Sequence, residues 1–213
     1  MGIEPYYGED GITIYHGDCR DILPQLEPVD LVLTDPPYGM QFQSNHRAEK
    51  HKKIHGDEKL PVEIIEKCIK KALFASYFFC RWDNLHEMPL KPKYVLSWVK
   101  NNWSMGDLKH EHGRQWEAIC FYNGPIHEFN ERIPDVITEA RTGNNLHPTE
   151  KPVKLFQRLI ECNKGETILD PFMGSGTTLV AAKNLGRKAI GIEIEEKYCE
   201  IAVKRLAQGV LPL

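Results

Sequence analysis

The chain has 213 residues, of which 41% are hydrophobic and 27% are charged, and its formal net charge is −3. This composition is typical of a globular protein with one substantial core, and it contains no apolar stretch as long as a membrane span. The small negative net charge means that any binding of nucleic acid must depend on local basic patches rather than on a strongly basic surface.

Apolar strands and amphipathic helices alternate along the chain. The predicted strands are 11–18, 30–35, 76–82, 93–100, 117–124, 166–170 and 188–193, and the predicted helices are 61–74, 153–163, 177–186 and 195–209. The continuous apolar run at 30–35 is typical of a strand that is covered on both faces. Strands that alternate with helices favour an α/β fold with a doubly wound, mostly parallel sheet.

Two polar stretches with little periodicity interrupt this pattern, at about 40–60 and at about 101–146. Connections of that length are usually functional, so we interpret them as binding insertions in a single domain that spans 1–213. The six cysteines are dispersed and form no CxxC pair, which favours reduced thiols over disulfides or a zinc site. The N-terminus lacks the pattern of a secretory signal.

The segment TDPPYG (34–39) directly follows the buried run. Proline fixes φ and has no N–H group, and the residue before a proline is kept out of the helical region. Asp35, Pro36, Pro37 and Tyr38 therefore form a stiff, extended segment whose carboxylate and carbonyls can accept hydrogen bonds and whose aromatic ring can stack. Such a segment suits a flat molecule that carries an NH2 group.

A second motif, ILDPFMGSGTT (168–178), predicts a strand, a tight turn and the start of a helix. Gly174 and Gly176 allow a ligand to approach the backbone at the N-terminus of that helix. Glu193 lies at the end of the next predicted strand, where nucleotide-binding folds place an acid for ribose hydroxyls. The turn alone is also compatible with an ordinary strand-to-helix corner, and no Walker-type phosphate loop is present.

TDPPYG and DPFMGSGTT together resemble the motifs of the DNA amino-methyltransferases, which move a methyl group from S-adenosylmethionine to an exocyclic amine. Their order along the chain is similar to that of the β group of this family, and HGD (16–18) and HPTEKP (147–152) resemble shorter motifs of the group. The resemblance implies a Rossmann-like methyltransferase fold with permuted motif order. Its catalytic half is about 1–100 and its cofactor half about 147–213.

The resemblance implies that Asp35, Pro36, Pro37 and Tyr38 hold a target base that has left the DNA duplex. The Asp35 carboxylate and the Pro36 carbonyl would each accept one N–H of the amine and aim the nitrogen lone pair at the methyl group, while Tyr38 would stack on the base. No metal is expected, because the sequence HEH at 110–112 has no third ligand at a suitable spacing.

The resemblance also implies a site for S-adenosylmethionine, formed by Asp18, Cys19, Lys151, Asp170, Phe172, Gly174, Ser175, Gly176, Thr177 and Glu193. In this interpretation Glu193 accepts from the ribose hydroxyls, Asp18 accepts from the adenine amine and Lys151 binds the methionine carboxylate. Asp18 is alternatively a turn residue. HPTEKP is alternatively a helix start, with Thr149 as the cap and Pro152 in the first turn.

Two basic segments are candidates for contacts with DNA phosphates. The residues are Arg47, Lys50, Lys52 and Lys53 in the segment 45–57, and Lys109 and Arg114 in the segment 100–117. A solvated loop is the alternative for the first segment. In the second segment the basic residues alternate with Trp103 and Trp116, and Trp116 is alternatively a core residue.

The sequence therefore predicts site-specific methylation of the N6 amine of adenine in DNA, in the cytoplasm of a prokaryotic or phage-infected cell, as in restriction–modification. Asp35 favours adenine, because cytosine enzymes of this family more often have Ser at that position; N4 of cytosine is the alternative. Methylation of RNA or of a protein amide is disfavoured, since glutamine-methylating relatives usually have Asn there. A non-catalytic DNA-binding remnant is disfavoured because both halves of the site are intact. The short insertions suggest a compact solitary or phage-type enzyme and, as its assembly, a homodimer.

Overall fold

The computed structural model describes residues 3–39, 59–103, 107–110, 112–142 and 150–208. The strands in these ranges are β1 Tyr7–Glu9, β2 Ile12–His16, β3 Val29–Thr34, β4 Ala72–Cys80, β5 Tyr94–Val99, β6 Trp116–Asn123, β7 Val136–Thr138, β8 Thr167–Asp170 and β9 Lys188–Glu193. The helices are α1 Cys19–Ile22, α2 Val62–Lys71, α3 Val153–Glu161, α4 Thr177–Asn184 and α5 Glu196–Ala207, with 3-10 turns at Leu23–Gln25 and Trp82–Glu87.

All the described strands belong to one sheet, in the order β1-β2-β9-β8-β3-β4-β6-β5-β7. The neighbours from β2 to β4 are parallel, so their C-terminal ends lie along the same edge, which we call the carboxyl edge. β6 is antiparallel to both β4 and β5, and its N-terminal end therefore lies at the carboxyl edge too. β1 is antiparallel to β2, and β7 is parallel to β5.

Helices cover both faces of this sheet, which explains the continuous apolar run in β3. Leu31 and Leu33 pack in one core cluster with residues of α3, α4 and α5. Val29 and Val32 pack in the other cluster with residues of α1 and α2. Because neighbouring side chains of a strand point to opposite faces, a strand between two helical layers needs successive apolar residues, as at Leu31, Val32 and Leu33. The predicted doubly wound, mostly parallel α/β fold is confirmed.

The last three residues of the predicted helix at 61–74 are wrong, because α2 ends at Lys71 and β4 begins at Ala72, four residues before the predicted strand at 76–82. Ala72 pairs with Val29 of the neighbouring strand, and this sheet pairing outweighs local helix preference. β1 and β7 were not predicted, since three residues are too few to show periodicity. β6 and β7 both lie within 101–146, so that stretch contributes strands to the sheet.

We predict that Gly191 in β9 is required for the packing of the turn beneath α4. A Cβ at this position would clash with Sδ of Met173 and lie 3.0 Å from the methyl carbons of Leu179. Overpacking of this kind costs about 1–3 kcal/mol, so Gly191→Ala should lower the free energy of unfolding in urea by that amount. Gly8→Ala is the matched control, because a Cβ at Gly8 meets no heavy atom within 4 Å. Equal losses in the two variants would contradict the packing argument.

Candidate functional site

The turn at 171–176 joins β8 to α4 at the carboxyl edge. Gly174 and Gly176 have φ of 50° and 82°, a region that L-residues with side chains rarely adopt. Gly176 is also the N-cap residue of α4, and a Cβ there would lie 2.8 Å from the Cβ of Ala202. The turn is held against β9 by a hydrogen bond from Met173 N to Ile192 O of 3.1 Å. Glycine is thus required by the conformation and, at Gly176, by the packing as well.

Asp170 is buried at the end of β8, and both of its carboxylate oxygens accept hydrogen bonds from the protein. Its carboxylate accepts from Thr34 Oγ1 at 2.5 Å, from Phe172 N at 3.1 Å and from Thr178 Oγ1. Burial raises the pKa of Asp170 to about 6, although these hydrogen bonds oppose the shift. Asp170 therefore ties β3, the turn and α4 together, through two threonines that sequence reasoning did not identify.

Glu193 ends β9 beside the same turn. Its Oε2 accepts from Gly174 N at 3.0 Å and its Oε1 from Glu195 N at 2.8 Å. Burial raises the pKa of Glu193 to about 7, and the two backbone N–H donors only partly offset this effect. The carboxylate is thereby fixed next to the glycine turn, as its position in the sequence predicted.

Asp18 and Cys19 lie at the end of β2, on the other side of β9. Asp18 is the N-cap of α1, accepts from Arg20 N at 2.8 Å and pairs with the Arg20 guanidinium. This is the arrangement expected for the turn-residue alternative. Burial raises the pKa of Cys19 to about 11, so its side chain is a neutral thiol at neutral pH.

Asp35 follows β3, and both of its carboxylate oxygens are engaged. Oδ1 accepts from the Tyr38 hydroxyl, and Oδ2 pairs with the Lys151 ammonium. The Lys151 side chain is 7% exposed, and its Nζ lies 5.8 Å and 5.2 Å from the ring centroids of Tyr38 and Phe79. The predicted catalytic acid and the predicted cofactor lysine thus form one buried ion pair.

Glu117, at the start of β6, extends this ion pair into a charged network. Its Oε2 lies 3.5 Å from Lys151 Nζ, and its Oε1 pairs with the Lys100 ammonium at the end of β5. Neither Glu117 nor Lys100 was predicted as a site residue. An acid at the first positions of an apolar strand has no local signature, and only the antiparallel direction of β6 brings it to the carboxyl edge.

Burial and the neighbouring charges shift the pKa values of this network in opposite directions. Burial raises the pKa of Asp35, and Lys151 opposes this shift while Glu117 adds to it. For Lys151, burial favours the neutral amine, but the charges of Asp35 and Glu117 outweigh it and raise the pKa. For Glu117, Lys151 and Lys100 outweigh burial and lower the pKa. Lys151 is therefore an ammonium and Glu117 a carboxylate.

A cavity that is open to solvent connects the ion pair to the glycine turn. It is lined by Asp35, Glu150, Lys151, Phe156, Asp170, Phe172, Met173, Gly174, Ser175, Thr177 and Thr178. Seven of the predicted site residues are in this set. The other predicted site residues that the structure describes lie at the same edge of the sheet but do not line this cavity. They include Tyr38, Asp18, Cys19, Gly176 and Glu193.

Arg205 of α5 supports the turn from behind and was also not predicted. Its Nη1 donates to Ser175 O at 2.8 Å, to Ser175 Oγ at 3.1 Å and to Thr177 Oγ1 at 3.3 Å. Its Nη2 lies 3.5 Å from Oε1 of Glu150. A single arginine in the last turn of an amphipathic helix has no signature in the sequence, since Lys and Arg are common there.

The predicted DNA-contacting residues are only partly described. Lys109 and Arg114 are exposed, and Arg114 is close enough to Asp83 to lower the pKa of that carboxyl, after the larger effect of Arg81. Arg47, Lys50, Lys52 and Lys53 lie outside the described residues, as do Glu111 of the HEH sequence and residues 147–149 of HPTEKP.

Two features are absent from the ranges that the structure describes. None of the helices described is long and apolar enough to cross a bilayer. No group of three or more His, Cys, Asp or Glu side chains within these ranges is arranged to hold a metal ion.

Comparison with known proteins gives three kinds of similarity. Residues 84–204 match a family model described as DNA methylase. Type II methyltransferase M2.LlaDCHI of Lactococcus lactis subsp. cremoris is 31% identical, over 97% of this chain and 93% of the relative. DNA adenine methyltransferase YhdJ of Escherichia coli (strain K12) is 27% identical, over 96% of this chain and 86% of the relative. A crystal structure of an M1.HpyAVI–SAM complex has a TM-score of 0.68 at 28% identity, and covers 92% of this chain and 98% of that one.

We predict that Glu193 makes the protein less stable as the pH rises. Its folded pKa of about 7 exceeds the usual 4.5, so between these values the native state holds a proton that the unfolded chain has released. The contribution of Glu193 to the free energy of unfolding therefore falls by about 3 kcal/mol as the pH rises through this window. It is constant above about pH 7. Urea unfolding of the wild type and of Glu193→Gln at pH 5 to 8 measures this, and the variant should show the shallower decline. Parallel curves would contradict the assignment.

Proposed function

The chain belongs to the DNA methylase family, and we propose that this member transfers a methyl group from S-adenosylmethionine to the N6 amine of adenine in DNA. The observation that carries the proposal is the cavity in which Asp35 and the glycine turn after Asp170 form parts of one wall. Methyl transfer requires an acceptor site for an amine and a nucleoside-binding turn to lie in one continuous space, since the reacting atoms must come within contact distance.

The residues around the turn fit S-adenosylmethionine. Phe172, Gly174, Ser175, Gly176 and Thr177 would surround the cofactor, because the glycines leave the backbone of the turn accessible. When bound, the cofactor supplies an electrophilic methyl group on a positively charged sulfur. The structure of the M1.HpyAVI–SAM complex supports this choice of cofactor.

Four further residues complete the proposed cofactor site. Glu193 would accept from the ribose hydroxyls with the lone pairs that its two backbone donors leave unused. Asp18 would accept from the adenine amine of the cofactor, and Cys19 would form part of the wall as a neutral thiol. Asp170 lines the cavity and maintains the shape of the turn through its bonds to Thr34 and Thr178.

The target amine would bind at Asp35 and at the Pro36 carbonyl. Its nitrogen lone pair is delocalised into the base, and two hydrogen bonds from its N–H groups would draw the nitrogen towards tetrahedral geometry. The lone pair would then be directed at the methyl group that the cofactor supplies, and the proton released by the product nitrogen would pass to the Asp35 carboxylate or to water. Positive charge develops on nitrogen during this step, and the Asp35 carboxylate stabilises it. Pro37 keeps the segment extended, and Tyr38 would stack on the base.

Lys151 has two proposed roles. The resemblance of HPTEKP to a family motif assigns its ammonium to the methionine carboxylate of the cofactor. Its described contacts are with Asp35 and, at 3.5 Å, with Glu117. We favour the second role, in which Lys151 keeps Asp35 ionised in a site where burial favours the neutral acid.

DNA would bind across the carboxyl edge through the basic insertions. Lys109 and Arg114 are exposed there, and they are proposed to contact phosphates together with Arg47, Lys50, Lys52 and Lys53. The target base must leave the duplex to reach Asp35. The flipped base, the homodimer and the cytoplasmic location stay predictions.

Adenine is favoured over cytosine by Asp35 itself and by the name of the relative YhdJ, a DNA adenine methyltransferase.

The direct test is to incubate the purified protein with unmethylated DNA and methyl-labelled S-adenosylmethionine, digest the DNA and identify the labelled nucleoside. N6-methyladenine is the expected product. N4-methylcytosine would favour the alternative, and unlabelled DNA of every sequence tested would overturn the proposal.

We predict that Asp35→Ala lowers the single-turnover rate of methyl transfer by about 10²–10³-fold, as for the loss of other groups that stabilise transition-state charge. The affinity for S-adenosylmethionine, measured by calorimetry, should stay close to that of the wild type. Asp35→Asn should also be slow, because it keeps the shape and removes the charge. Asp10→Asn is the control for loss of a surface charge, since Asp10 pairs only with Lys183 at the opposite side of the molecule among its described contacts. A near-normal rate for Asp35→Ala would remove Asp35 from the site.

A further inference from the structure

Glu117 has a carboxylate whose two oxygens differ in their surroundings. Oε1 pairs with the Lys100 ammonium. Oε2 is buried and makes no hydrogen bond within the part of the chain that the structure describes, although it lies 3.5 Å from Lys151 Nζ. A buried carboxylate oxygen without a donor is costly, so its retention at this position requires an explanation.

The Lys151 ammonium lies between two carboxylates and bonds to only one of them. It pairs with Oδ2 of Asp35, while the Tyr38 hydroxyl donates to Oδ1. The strongest acceptor positions of Asp35 are therefore engaged before any substrate arrives. An amine that donates to Asp35 must compete with one of these two donors, and Lys151, unlike Tyr38, has a second acceptor within reach.

We propose that Glu117 is a positioning residue for methyl transfer, which takes over the Lys151 ammonium when the target amine binds Asp35. This inference rests on the proposed function, because it concerns the amine acceptor of that reaction. A shift of the ammonium by less than about 1 Å towards Oε2 would give Glu117 the hydrogen bond that it lacks. It would also leave Oδ2 of Asp35 to the amine. Lys100 holds the other oxygen of Glu117, so the carboxylate keeps its orientation during the transfer.

The same arrangement makes the protonation of Asp35 depend on Glu117. The negative charge of Glu117 raises the pKa of Asp35, and Lys151 lowers it. The other ionisable groups near Asp35 are Tyr38, Asp170 and Cys80, and Arg141 acts on the network through Lys100. Because the reaction needs the Asp35 carboxylate, the rate should rise as the pH rises through the pKa of Asp35.

The test is the pH dependence of the single-turnover rate at saturating S-adenosylmethionine and DNA. Glu117→Gln keeps the shape and removes the charge, so it should lower the plateau rate about tenfold and move the acid limb down by roughly 0.5–1 pH unit. Lys100→Met instead removes the positive charge that partly neutralises Glu117. The negative charge of Glu117 should then raise the pKa of Asp35 further and move the acid limb to higher pH. Both variants should bind S-adenosylmethionine as the wild type does.

Glu128→Gln is the matched control, because Glu128 is exposed and pairs with Lys164 at 2.6 Å on the surface; its rate and acid limb should equal those of the wild type. If Glu117→Gln lowers the rate at every pH but leaves the acid limb at the wild-type pH, Glu117 has only a structural role. That result would overturn the inference. If Glu117→Gln does not fold, Lys100→Met decides: an upward shift supports the inference and an unshifted limb overturns it. A wild-type protein that labels no DNA would instead overturn the proposed function, so the two failures are distinguishable.

Discussion

The ion pair between Asp35 and Lys151 is the interaction on which the rest of the carboxyl edge depends. It joins two segments that are 116 residues apart in the chain, and it places an acid and a base where both are largely removed from water. Two charges in such a place cost more than a surface pair, and removing one partner leaves an uncompensated charge. This cost is partly offset by interactions with the hydroxyl of Tyr38, the carboxylate of Glu117 and the ammonium of Lys100. The pair is therefore the centre of a network.

The direction of the strands explains how this network forms. Parallel strands place their C-terminal ends together, which brings Asp18, Asp35, Asp170 and Glu193 to one edge. The reversed strand β6 contributes its first residues to the same edge, and Glu117 comes with it. In the proposed function, a methyl donor and a base meet in one cavity, although the segments proposed to bind them belong to opposite ends of the chain. On this proposal the fold supplies proximity, and the charged network supplies the electrostatic environment of the amine.

The parts that could be predicted from sequence are those with local signatures. A buried, mainly apolar strand, a turn that requires glycine and a stiff Asp-Pro-Pro-Tyr segment are each encoded by neighbouring residues, and so the positions of Asp35, Gly174 and Glu193 at strand ends and turns could be predicted. Glu117 and Arg205 were missed because their roles depend on which strands and helices become neighbours. Likewise, the hydrogen bond from the Tyr38 hydroxyl to Asp35 adds a role to a residue that had been considered only as a ring. Lys151 was also predicted as a site residue, but its pairing with Asp35 was not foreseen.

The role of the ion pair is tested most directly by Lys151→Met. Calorimetry measures the affinity of this variant for the cofactor, and single-turnover methylation measures its rate. If Lys151 serves Asp35, the Kd for S-adenosylmethionine should stay within about threefold of the wild type, which is less than about 1 kcal/mol. The rate at saturating cofactor should fall by about 10²-fold or more. The opposite result, a greatly weakened Kd with a rate that recovers fully at high cofactor concentration, would assign Lys151 to the methionine carboxylate. It would contradict the central role of the ion pair in methyl transfer.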